Sequence, residues 1–155
     1  MDWGVLALTF GAIFVVELPD KTFIAALVLS TRYRPWAVWV GVGLAFLVQT
    51  LIAVAAGKVA TFLPNTLVHA VAMVIFFIGA VLLFRAAPGA DAAEHEQEEE
   101  YAAKAKPVAT PFRAIVASFL VLFAAEWGDL SQLLTISLVA KYHDPVAVFI
   151  GAWGA

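Results

Sequence analysis

Two short acidic motifs stand out in an otherwise apolar chain. Glu17 and Asp20 lie three residues apart, and Glu126 and Asp129 repeat that spacing 109 residues later. Residues three apart share one face of a helix, so each motif presents two carboxylates together. A charge at the centre of a bilayer costs at least about 2.5–3.5 kcal/mol, so four carboxylates require a compensating partner. Packed in low dielectric they would hold protons, which an arriving divalent cation would displace.

Other oxygen-bearing side chains near these motifs are further candidate ligands. Thr22 and Ser131 follow the two aspartates by two positions, Gln132 comes next, and Gln49 lies in the second apolar run. Helix-to-helix hydrogen bonding is the competing interpretation of these four residues. Carboxylate and amide oxygens suit calcium, manganese or magnesium. The predicted metal-binding set is Glu17, Asp20, Glu126, Asp129, Thr22, Ser131, Gln132 and Gln49.

The composition requires a membrane setting for these residues. The 155 residues are 63% hydrophobic and 14% charged, far from the composition of an ordinary soluble domain. The net charge of −3 and the lack of a basic stripe argue against nucleic-acid binding. There is no cysteine, and the three histidines lie in loops or at span ends, which argues against zinc or copper. Apolar runs predict helices over about Trp3–Leu29, Trp36–Ala56, Leu67–Phe84 and Ala114–Ala140, with a fifth starting at Val146.

An internal repeat organises these helices. The shift of 109 that aligns the acidic motifs also pairs other residues. The further pairs are Leu29 with Leu138 and Tyr33 with Tyr142, and, after a one-residue insertion, Ala37, Val38 and Gly41 with Ala147, Val148 and Gly151. Three helices separate the copies, so the second must enter the membrane from the opposite side. The expected fold is an all-α polytopic membrane protein, an inverted repeat of three plus three transmembrane helices whose second repeat is incomplete by about 40 residues.

We therefore divide the chain into a first three-helix repeat (1–84), a polar acidic cytoplasmic loop (85–113) and the start of the second repeat (114–155). Pro19 and Gly128 interrupt the corresponding first helices in register, as at the substrate sites of secondary transporters. The acidic tract within the loop is interpreted as a solvated, partly disordered connector.

Basic residues set the expected orientation. They concentrate in the loop after the first helix and in the loop 85–113, which places both loops in the cytoplasm and the N-terminus outside. The first segment lacks the basic start and the cleavage site of a signal peptide. We expect an integral protein of a bacterial inner membrane.

The two motifs resemble the signature Glu-x-Gly-Asp-(Lys or Arg)-(Thr or Ser) of a membrane family of divalent cation (calcium/manganese)/proton antiporters, which is lysine-exporter-like in layout. That family includes a eukaryotic Golgi calcium/manganese transporter and bacterial manganese exporters. The resemblance covers nearly the whole chain and implies that the four carboxylates bind the cation, with Thr22 and Ser131 nearby. Pro19 stands where the family has glycine, and Leu130 where it has a basic residue, which leaves the site more negative by one charge.

The sequence thus predicts a secondary transporter, not an enzyme, that exports manganese or calcium from the cytoplasm in exchange for protons. Its partners are the cation, protons and the lipid bilayer, without nucleic acid or resident cofactor. The choice of ion and a homo-oligomeric state stay open.

Two alternatives remain. An amino-acid exporter of the lysine-exporter type would need a fixed basic residue in its cavity, for which Lys21 is the candidate. A non-transporting membrane assembly protein would pair its acids with a partner's basic residues. Lys21 also lies four residues after Glu17 and could simply neutralise it.

Overall fold

The computed structural model describes residues 1–17, 21–105 and 110–155. All regular structure in those ranges is helical, without a strand, which confirms the all-α prediction. The α-helices are α1 (Trp3–Glu17), α2 (Lys21–Arg32), α3 (Pro35–Ala60), α4 (Asn65–Ala86), α5 (Ala90–Lys104), α6 (Pro111–Ala125), α7 (Leu130–Tyr142) and α8 (Pro145–Gly154), with a 3₁₀ turn at Ala87–Gly89.

Helix length and composition identify the membrane-crossing candidates in the described ranges. α3 has 26 residues and is long and apolar enough to cross a bilayer alone. α6 and α7 provide a second candidate if they form one interrupted span. α1, most of α2 and α8 are shorter apolar helices. The continuous helix expected over Ala114–Ala140 is therefore divided in two, at the predicted interruption around Gly128.

The acidic segment is a helix, so the expectation of a partly disordered connector is wrong for residues 90–104. Alanines and glutamates favour helix, and a Glu100–Lys104 ion pair of 2.5 Å joins successive turns. Tyr101 and Ala105 are buried in a core that includes Leu29, so α5 is docked on α2. Tertiary burial at its C-terminal end thus fixes a segment whose composition favours solvent.

The chain divides into two compact units. Unit 1 comprises Met1–Leu18, Gln49–Pro88 and Gly128–Ala155. Here α1 packs on α7 and α8, and α4 packs on α7. Its core is formed by Val5, Leu138, Val139, Ala147 and Val148.

Unit 2 comprises Pro19–Val48 and Gly89–Trp127. Here α2 packs on both α5 and α6. Its core includes Ala25, Leu29, Tyr33, Ala37, Val38, Ala114 and Leu122.

A glycine allows close packing of helices in each unit. In unit 1, a Cβ added at Gly151 of α8 would lie 2.7 Å from the Leu6 carbonyl oxygen and 2.9 Å from the Thr9 Cβ, both in α1. In unit 2, a Cβ at Gly41 of α3 would lie 2.5 Å from the carbonyl oxygen of Ile115 in α6. The helix backbones are thus close enough that only glycine fits without a shift.

The two glycine contacts use corresponding residues of the sequence repeat. A Cβ at Gly41 would also meet the Ser118 Cβ at 2.8 Å and the Phe119 nitrogen at 3.1 Å, as one at Gly151 meets Thr9 and, at 3.1 Å, the Phe10 nitrogen. The corresponding pairs are Leu6 with Ile115, Thr9 with Ser118, Phe10 with Phe119 and Gly41 with Gly151. Each unit therefore packs the first helix of one copy against a helix of the other copy.

Two aspartates cap the helix starts of unit 1. Asp2 accepts hydrogen bonds from the N–H groups of Gly4 (2.7 Å) and Val5 (3.3 Å) at the start of α1. Asp144 accepts from the Ala147 N–H (3.1 Å) of α8 and from the Asp2 N–H (2.7 Å). These donors, that of Ala147 first, lower the pKa of the Asp144 carboxyl below its ordinary value.

The glycine contact in unit 2 can be tested with Gly41→Ala. Because the added methyl meets backbone atoms of α6, we expect a loss of about 1–3 kcal/mol in the free energy of unfolding. Gly43→Ala is the matched control, since a Cβ there meets no atom within 4 Å. Thermal unfolding in detergent measures both, and equal melting temperatures for the two variants would contradict the described packing.

The Asp144 contacts predict a pH-dependent stability. A carboxyl whose folded-state pKa is lowered stabilises the fold above its ordinary pKa, and this contribution is lost as the pH falls through the lowered value. The melting temperature of the wild type should therefore exceed that of Asp144→Asn at pH 7, and the difference should shrink below about pH 4. A difference that stays constant down to pH 3 would refute this role.

Candidate functional site

The second acidic motif lies at the break between α6 and α7. Glu126 is the C-cap of α6, and its N–H donates to the Leu122 carbonyl at 3.0 Å. Gly128 has φ +78°, a left-handed conformation that glycine adopts readily, and Asp129 is the extended N-cap of α7. The chain therefore leaves one helix and starts the next within four residues, and both of the motif's acids occupy helix ends.

The glutamates of the two motifs differ in burial. Glu17 is the last residue of α1 and is half-buried, whereas Glu126 follows α6 and is only 1% exposed. The last carbonyls of a helix lack intrahelical partners and carry partial negative charge. Glu126, the C-cap of α6, thus lies where backbone oxygens favour a nearby cation or proton.

Asp129 is at the opposite kind of helix end. It precedes α7, where the N–H groups carry partial positive charge, and it is half-buried. Its side chain accepts no hydrogen bond from the first turn of α7. Instead Gln132, in that first turn, reaches back and accepts from the Gly128 N–H at 3.1 Å. The cap of α7 therefore does not engage the Asp129 carboxylate.

The two glutamines predicted as ligands contact each other. Gln132 donates from Nε2 to Oε1 of Gln49 at 2.9 Å, and Gln49 is 4% exposed on α3. This contact is the helix-to-helix hydrogen bond of the competing interpretation. Thr22 and Ser131 are both buried, one near the start of α2 and the other in the first turn of α7.

The structure describes only some of the four predicted carboxylate ligands. Asp20 lies outside the described residues, as does Pro19. In the ranges described, no three Asp, Glu, His or Cys side chains form a cluster that could hold a metal ion. His95 lies 3.7 Å from Glu98 along α5, away from the motifs in sequence. The structure brings Gln49 and Gln132 together, and the four-carboxylate site stays a prediction.

Sequence reasoning missed one contact, that between Gln132 and the backbone at Gly128. A signal for it was present, because Asp129-Leu130-Ser131-Gln132 has the spacing of a capping box, in which a glutamine three residues after the cap reaches back to a backbone N–H. Here it reaches one residue further, to the N–H that the break leaves without a helical acceptor.

An apolar helical chain with an acidic, glycine-interrupted helix has the features of a membrane-embedded transporter. The sequence profile of one family, described as "Divalent cation/proton antiporter GDT1", matches residues 5–91 and 114–155. The chain belongs to this family. The family resemblance is thereby confirmed, as is the expectation that the protein is a transporter rather than an enzyme.

Relatives in the same family agree with this assignment. The chain is 35% identical to a GDT1-like protein of Synechocystis sp., over 96% of the chain and 73% of the relative. It is 31% identical to GDT1-like protein 3 (93% of the chain, 54% of the relative) and 32% identical to "Protein PAM71, chloroplastic" (94% and 44%), both of Arabidopsis thaliana. The chain thus spans about half the length of the two Arabidopsis relatives. No solved structure matches it significantly.

The backbone at the break can be tested with Gly128→Ala. No atom lies within 4 Å of an added Cβ, so the cost is conformational and should be about 1–2 kcal/mol. Gly11→Ala is the control, because its Cβ also meets nothing but its position within α1 favours alanine. Unfolding in detergent should separate the variants, and a Gly128→Ala protein as stable as wild type would contradict the left-handed conformation.

Proposed function

We propose that the chain belongs to a secondary transporter that exports manganese or calcium from the cytoplasm in exchange for protons. The observation that carries this proposal is the placement of the acids at helix ends. Glu126 caps the end of α6 and Asp129 caps the start of α7, in segments that the family profile covers. Membership of a cation/proton antiporter family supports the transport class.

The chemistry follows from the charges at these helix ends. We propose that Glu17, Asp20, Glu126 and Asp129 bind the cation, and that they hold protons when it is absent. Helix C-terminal ends attract cations, which favours a metal ion or a proton beside Glu126. Because Glu126 is almost fully buried, an uncompensated charge there would be costly, so loss of its proton would be coupled to arrival of the metal. The hydroxyls of Thr22 and Ser131 are the proposed additional ligands.

The proposed architecture is an inverted repeat of three plus three helices. The matching glycine contacts of unit 1 and unit 2 support a structural repeat. The odd number of spans between the copies supports the inverted orientation, and the distribution of arginine and lysine supports an external N-terminus. A bacterial inner membrane is the proposed location.

Proton release on metal binding tests the function directly. Adding manganese or calcium to the purified chain in weakly buffered detergent should cause saturable acidification. Glu126→Gln should abolish most of it, because the variant cannot give up a proton at this position and the metal also loses one of its four proposed carboxylate ligands. Glu99→Gln is the control, since Glu99 is exposed on α5, and it should behave as wild type.

Two outcomes would contradict the proposal. No release from a folded wild-type chain would favour the membrane assembly protein, whose acids need a protein partner. Release caused by an amino acid but by neither metal would favour an amino-acid exporter.

A further inference from the structure

Three groups of unit 1 form a hydrogen-bonded series at the start of α7. The Gly128 N–H donates to Oε1 of Gln132 at 3.1 Å, and Nε2 of Gln132 donates to Oε1 of Gln49 at 2.9 Å. A backbone N–H can only donate, so the Gln132 oxygen must face Gly128 and its amide NH₂ must face Gln49. The direction of both hydrogen bonds is therefore determined by chemistry.

This series joins α3 to α7, and the same two helices also pack closely at a second point. A Cβ at Gly57 of α3 would lie 2.7 Å from the Val139 Cβ and 2.9 Å from the Ile136 carbonyl oxygen of α7. Gln49 and Gly57 are about two helical turns apart, or about 12 Å. α3 and α7 are thus held at two points, and the polar one lies at the break beside Asp129.

The first sequence copy lacks the groups that would make this contact. At the positions corresponding to Gly128 and Gln132 it has Pro19 and Phe23. Proline has no N–H to satisfy, and phenylalanine has no acceptor to offer. In the second copy, by contrast, an N–H is left by the break and an amide four residues later accepts from it. The glutamine therefore matches a need that arises only in the second motif.

We propose that Gln49 and Gln132 are positioning residues that act as one unit, the glutamine latch, which ties α3 to the start of α7 and holds the backbone that carries Asp129. This inference rests on the proposed function, since it assigns Asp129 to the cation site. It differs from the expectation that each glutamine offers its own oxygen to the metal. Both of those oxygens accept hydrogen bonds within the latch.

A double-mutant cycle distinguishes the glutamine latch from the alternative in which Gln49 and Gln132 bind the metal independently. Gln49→Met and Gln132→Met keep side-chain length but remove the hydrogen bonds. For a latch, each variant should raise the manganese concentration at half-maximal proton release by about tenfold, as losses of supporting contacts do, and the double variant should be no worse. The amount of proton released should stay unchanged, because all four carboxylates remain. Multiplying effects in the double variant would overturn the proposal.

Hydrogen exchange provides a second readout that does not need metal. Gly128 is exposed, and the latch supplies the acceptor for its N–H, so Gln132→Met should speed exchange in the peptide containing Gly128 about two- to tenfold without manganese. Gln132→Glu, which keeps an acceptor, should restore slow exchange. Gln97→Met on α5 is the control and should leave exchange unchanged.

The two proposals fail in distinguishable ways. Unchanged exchange in Gln132→Met would overturn the latch even if the wild type released protons normally. A wild-type chain that released no protons would contradict the proposed function, and the exchange rate alone would then decide the latch.

Discussion

Inside a bilayer, a backbone N–H or carbonyl without a partner costs several kcal/mol, and this constraint governs every interruption of an apolar helix. The break after α6 creates several such groups at once. A side chain satisfies one of them, since Gln132 accepts a hydrogen bond from the Gly128 N–H. The Asp129 carboxylate does not cap α7 and is left to other contacts. Hydroxyls within the helices obey the same rule, since Thr9 and Thr135 donate to the carbonyls of Val5 and Ser131. These two hydroxyls are thus satisfied by carbonyls of their own helices.

The sequence repeat could be detected because burial restricts the residue types that a position accepts. Leu29 and Leu138, and Ala37 and Ala147, are aligned in the sequence and are all buried in their respective units. Small residues at a helix crossing can also be recognised from the sequence, because nothing larger than glycine fits at Gly41 and Gly151 without a shift. Burial and close approach of helices both restrict the residue type at single positions, so one sequence is enough to show these patterns.

Other features depend on what meets a residue, and residue type does not encode that. The glutamate-rich segment has the composition of a solvated connector, yet Tyr101 and Ala105 dock it on α2. Gln132 was predicted as a ligand, with hydrogen bonding to another helix as the competing interpretation, and its residue type does not show that it contacts Gln49. The predicted four-carboxylate site belongs to this second kind, because helical spacing accounts for the pair within one motif, whereas an approach of the two motifs would depend on contacts between helices.

The reciprocal glycine contacts also determine how long a newly made helix must wait for the helix that it packs against. α1 is made before α8, and the glycine of α8 against which it packs is added about 140 residues after Thr9. At roughly 5–20 residues per second, the face of α1 around Thr9 waits about 7–30 s for its partner. α3 waits in the same way for α6. Until the second copy is translated, α1 lacks α8 and α3 lacks α6, so lipid or the insertion machinery must cover these helix faces. A chain whose synthesis stopped midway would have a complete core in neither unit.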